Sequence, residues 1–104
     1  MILMTNINEL QKEYKELNKA LEIHFAKYDE LSENVSEEVL DELDDQAENI
    51  YDRLDEIIAY LERSIAPILK KQDASVNDET IRHMFVFKKE KTVNLAFKLL
   101  KLSA

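Results

Sequence analysis

An all-α fold built on an antiparallel helical hairpin with coiled-coil-like seams follows from three features of the sequence. Apolar residues recur at alternating steps of three and four over two long stretches. The 104 residues include no glycine and a single proline, and charged side chains fill the positions between the apolar ones. Without glycine, the tight turns and bulges of sheets lose their cheapest source of positive φ. Length sets a single domain over residues 1–104, of a size at which assembly with a second copy often completes the core.

The first seam is Ile7, Leu10, Tyr14, Leu17, Leu21, His24, Tyr28 and Leu31, with one polar residue, His24, at a core position. It predicts helix 1 over about residues 6–32, capped at its start by Thr5 or Asn6 and closed by Ser32, Glu33 and Asn34. The second seam, Leu40, Leu43, Ala47, Ile50, Leu54, Ile57, Leu61, Ser64 and Ile68, predicts helix 2 over about residues 36–69, with Asn34 or Ser36 as its N-cap. Pro67 lies inside this pattern and predicts a kink or an end near residue 63, because its ring clashes with the carbonyl four residues back. A short polar link and helices of similar length predict that the two fold back on each other.

The second seam widens along its length. Glu37 and Asp44 flank its first half, whereas Tyr51, Ile58, Tyr60 and Ile65 flank its second. A broad stripe needs burial among several elements, so the end away from the hairpin turn requires a cover. The cover is the basic C-terminal segment 78–104, reached through a polar linker at 70–77 in which Ser75 and Asp78 supply an N-cap. This segment reads as a third helix, either continuous or broken near residue 90. The competing reading is two short strands at 85–87 and 92–95, joined by a turn without glycine or asparagine.

Charge divides the chain. Residues 1–81 carry −13 and residues 82–104 carry +5, which together give the net −8. Between Glu37 and Glu62 stand eleven acids and one base, Arg53. Most of them lie opposite the seam, and Asp41, Glu48, Asp55 and Glu62 form a column at seven-residue spacing. With Asp45 and Asp52, this column is the candidate face for a basic partner. Arg82, Lys88, Lys89 and Lys91 make up a second candidate surface, which either neutralises helix 2 or contacts an acidic partner. Phe85, Phe87 and Phe97 interleave with these lysines in the manner of a base-stacking platform, but aromatic residues at such spacing more often belong to a core, and that is the favoured reading. His24 is a core polar residue that sets register or responds to pH, within reach of Asp44 in the folded hairpin.

Several functions are excluded by composition. Phosphate-cradling loops, dinucleotide fingerprints and EF-hands need glycine, and thiol catalysis and zinc knuckles need cysteine, which is also absent. A carboxylate-bridged di-iron bundle needs Glu three residues before His, where this chain has Leu21 and Thr80. Glu13-x-x-Glu16 and Glu42-x-x-Asp45 superficially resemble the paired acidic motifs of metal-dependent helical nucleotide pyrophosphatases. On the heptad registers, however, Glu16, Glu42 and Asp45 point away from the seams, where a metal site would need them to converge. The expected function is therefore a non-enzymatic protein–protein interaction module, homodimeric, cytoplasmic and without membrane, metal or cofactor. The alternative is a nucleic-acid role, by mimicry of DNA through helix 2 or by binding through residues 82–101.

Overall fold

A computed structural model describes residues 6–31 and 35–103. Four helices and no strand occur among them: α1 (Ile7–Glu30), α2 (Glu37–Gln72), α3 (Asp78–Met84) and α4 (Glu90–Ser103). Asn6 caps α1, its side chain accepting from the amides of Asn8 and Glu9, and the Ser36 hydroxyl accepts from Val39 N–H to cap α2. The alternative caps Thr5 and Asn34, and the closing residues Ser32 and Glu33, lie outside the described residues. α1 and α2 fold back as an antiparallel hairpin. Arg53 reaches across it to Glu13 with two hydrogen bonds, of 2.6 and 2.7 Å, and also holds Glu56 on its own helix.

Helix 2 is longer than its periodicity suggests. It runs for 36 residues against 24 for α1, passes through Pro67 without interruption and ends at Gln72. Proline inside a helix costs about 3 kcal/mol relative to alanine. Here that cost is offset by anchors on both sides of it: Leu61 and Ile65 are buried, and Leu69 packs against the same core. At 1.5 Å per residue α2 is about 54 Å long, which accounts for the 56 Å longest dimension of the molecule.

The polar linker shortens accordingly to residues 73–77. Asp73 Oδ1 accepts from both the backbone and the hydroxyl of Ser75, which removes Ser75 from capping. Asn77 caps α3 instead, accepting from Thr80 N–H, while Lys70 bridges the linker to Asp78. The hydrogen bond from Lys70 holds the Asp78 carboxyl below the usual aspartate range.

The C-terminal segment is two helices separated by residues 85–89, and neither strand of the competing reading forms. The break turns on Lys88, whose φ of 50° is the one left-handed residue among those described. A glycine would take that conformation without a Cβ penalty of about 1 kcal/mol or more, but this chain has none. The turn buries Phe85 beneath it and releases α4 to pack on the hairpin.

The core sits where the widened seam requires. Every buried residue of α2 falls between Leu54 and Ile65, and α4 covers them with Val93, Ala96 and Phe97. Phe97 lies 5.9 Å from the Tyr14 ring, centroid to centroid, which ties α4 to α1 as well. From Glu37 to Arg53, α2 has no buried residue. The hairpin is thus packed in three layers at one end and is a bare helix pair at the other.

Two expectations follow. Pro67→Ala restores the missing hydrogen bond in an exposed position and raises thermal stability by about 1–3 kcal/mol; an unchanged or lowered midpoint would contradict an uninterrupted α2. The guanidinium of Arg53 depresses the Glu13 carboxyl below its ordinary value of 4.5. Its stabilisation is therefore complete above that value and is lost as pH falls through the depressed one. Both partners are more than a third exposed, so Glu13→Gln lowers stability at pH 7 by about 1 kcal/mol or less. In thermal melts this difference from the wild type shrinks below pH 4.5.

Candidate interaction surface

The acidic column is carried on the outer side of α2, and the structure divides it. Asp41, Asp45, Glu48 and Asp52 are exposed and make no ion pair with any described residue. Asp55 accepts a hydrogen bond from Lys88 Nζ at 2.5 Å. Glu62 is half-buried and shares two surface clefts with Arg82. Of the column, Asp55 alone is paired with a base among the described residues, at the end covered by α3 and α4, and the acids towards the hairpin turn are bare.

The basic surface is likewise split between two roles. Lys88 is spent on Asp55, which is the neutralising role that the sequence offers for this segment, while Arg82 lines two clefts with Glu62 without pairing with it. Lys89 and Lys91 remain exposed, with Lys89 Nζ 5.8 Å from the centroid of the Phe87 ring. Of the three phenylalanines interleaved with the lysines, Phe85 and Phe97 are core residues and Phe87 alone, 78 % exposed, faces solvent. The stacking platform is thus reduced to one ring.

His24 is 7 % exposed at the core position its spacing assigns, on the sparsely covered half of the hairpin. Its ring lies 6.0 Å from Phe25 and 6.5 Å from Tyr28, and it makes no ion pair with Asp44. Next to it Phe25, 51 % exposed, and Tyr28 are uncovered, and Val39 and Tyr51 of the first half of α2 are exposed as well. Tyr28 is a seam residue and Tyr51 flanks the second seam, but only the structure reveals that no described element covers them, because cover is a property of where α4 ends.

Sequence reasoning missed four features. The Glu13–Arg53 pair joins residues forty apart, and the role of Lys88 in the turn depends on backbone conformation rather than residue type. Asn94, read only as part of a candidate strand, places its Oδ1 in the interior with no hydrogen-bond partner. A cleft of about 420 Å³ between α2, α3 and α4 is lined by Ile65, Leu69, Met84, Phe85, Thr92, Leu95, Ala96 and Leu99, none of which titrates. It offers no acid, base or charge for chemistry. Among the described residues no group of three or more histidines and carboxylates is placed to hold a metal, and no helix is long and apolar enough to cross a membrane.

The bare acids repel one another along the helix, since Asp41–Asp45, Asp44–Glu48 and Glu48–Asp52 are all four residues apart. Each such pair costs a few tenths of a kcal/mol. Glu48→Lys converts two of these repulsions into attractions, and a gain of about 0.5–1 kcal/mol in denaturant midpoint measurements at low salt is expected. A variant no more stable than the wild type would mean that the acids are already neutralised in solution. No protein-family model matches this chain, and no curated protein or solved structure is significantly similar to it.

Proposed function

We propose that this chain is a non-enzymatic protein–protein interaction module whose working surface is the hairpin end of α1 and α2. The observation that carries this reading is the coincidence of two costs in one place. Asp41, Asp45, Glu48 and Asp52 stand unpaired there, beside apolar rings that the fold leaves uncovered. Folding alone favours neither: like charges destabilise α2, and exposed aromatic area forfeits burial worth about 25 cal/mol per Å². A partner with basic residues around an apolar stripe satisfies both at once. An adaptor, inhibitor or assembly factor uses a surface of this kind. Within the chain, segment 82–101 covers the core and supplies Lys88 to Asp55.

The nucleic-acid reading draws less support. With two of the three phenylalanines in the core, residues 82–101 offer a single ring for stacking, and the net charge of −8 opposes approach to a polyanion. Mimicry of DNA by the acidic column leaves the neighbouring rings unexplained.

The test is affinity capture from a host extract with the wild-type chain and with an Asp41→Lys, Asp45→Lys, Glu48→Lys variant. One or a few proteins are expected to be retained by the wild type and lost with the variant, while Lys89→Glu retains them. Retention indifferent to the acids would remove the proposal. Binding of labelled duplex or single-stranded nucleic acid with a steep salt dependence would instead favour the alternative.

A further inference from the structure

We infer that the uncovered groove of the hairpin takes the outer face of α4 from a second copy of this chain, so that two copies pair through opposite charges rather than through their seams. This inference rests on the interaction reading above and names the partner for the same surface.

The groove is continuous with one already filled. On α1, Gln11 accepts from Lys101 of α4 and Tyr14 packs on Phe97. On α2, Asp55 accepts from Lys88, and Ile58 lines a cleft with Phe85 and Val86. Heptad spacing carries each row onward towards the hairpin turn, because residues seven apart share a helix face. Gln11 leads through Asn18 to Phe25, and Tyr14 leads through Leu21 to Tyr28. Asp55 leads to Glu48 and then Asp41, and Ile58 leads to Tyr51. Leu21 is buried within the hairpin and Asn18 half-buried, but Phe25, Tyr28 and Tyr51 are exposed at the other end, with Glu48 and Asp41 standing where Asp55 stands to accept further lysines. Two heptads span about 21 Å, the length of a 14-residue helix such as α4.

The chain carries a surface that fits. Opposite the core-facing side of α4, Lys91, Leu95, Lys98 and Leu102 form one ridge at steps of four, three and four. Both lysines are exposed, Leu95 is 58 % exposed and Leu102 is 75 % exposed. Among the described residues the exposed large apolar side chains thus lie either on the hairpin, which carries the bare acids, or on the C-terminal segment, which carries the exposed lysines. Within one chain they do not meet, because α4 is already bound by its inner face to the other half of the hairpin. A two-fold arrangement lets each copy's α4 ridge enter the other's groove, so that both contacts form together and the assembly closes at two. Seam-to-seam pairing would instead bring the bare acids of two α2 helices together.

The experiment is sedimentation velocity over a concentration series, with circular dichroism confirming that every variant is helical. The wild type is expected to dimerise, and more weakly in about 0.5 M salt than in about 0.05 M salt, as exposed charge pairs are screened. Asp45→Lys with Glu48→Lys, and separately Lys91→Glu with Lys98→Glu, each raise the dimer dissociation constant by about tenfold or more. Mixing the two doubly reversed variants restores pairing, since each then offers the charge that the other lacks; this result also guards against loss through misfolding. A wild type that stays monomeric, a dimer indifferent to the reversals, or a mixture that fails to recover overturns the inference. If a monomeric wild type still captures a host protein through its acids, the groove belongs to a foreign basic helix and the interaction reading stands. If that acid-dependent capture fails as well, the interaction reading falls with it.

Discussion

The packing of α4 into one half of the helical hairpin is the contact on which the rest of the structure depends. Val93 and Phe97 are fully buried against an α2 surface that presents Ile57, Leu61 and Ile65, each such side chain contributing about 1.5–3 kcal/mol when removed from water. That burial stabilises more than α4. It supplies the cover that the broad stripe of α2 requires, and it anchors α2 on the near side of Pro67. It also holds the strained turn at Lys88, since α4 reaches the hairpin only after the chain has reversed over Phe85.

The same contact sets the electrostatics. Because α4 begins close to Asp55, the turn preceding it delivers Lys88 to that carboxylate and leaves Arg82 beside Glu62. A 14-residue helix covers little more than two heptads of α2, so the acids nearer the hairpin turn have no internal counter-charge. The uneven charge is therefore a consequence of unequal helix lengths. One half of the hairpin is satisfied by its own C-terminus, and the other presents the same chemistry outward.

Much of this was legible in the sequence because it is local. The caps at Asn6 and Ser36, the three-and-four periodicity of α1 and α2, and the need for a cover over Leu54–Ile65 all depend on residue type at short spacing. Continuation past Pro67 was one of two readings, and the extension of α2 to Gln72 was not legible, because the local cost of the proline was outweighed by burial on both sides of it. Asn77 rather than Ser75 caps α3 because Asp73 engages Ser75 first. The acidic column was legible as a column, but its division into paired and bare parts needed the position of α4. The core roles of Phe85 and Phe97 were legible from their spacing, whereas the exposure of Phe87 depends on the turn between α3 and α4.

An architecture of this kind has a graded stability, highest where three elements meet and lowest where two helices stand alone. Native-state hydrogen exchange on dilute protein measures that gradient most directly. Amides of residues 54–69 in α2 and 93–100 in α4 should be protected to the level of global unfolding, whereas those of 39–50 should exchange earlier through local opening of the hairpin end. Uniform protection along α2, or early exchange of α4, would contradict an account in which α4 organises one half of the hairpin and leaves the other free to bind.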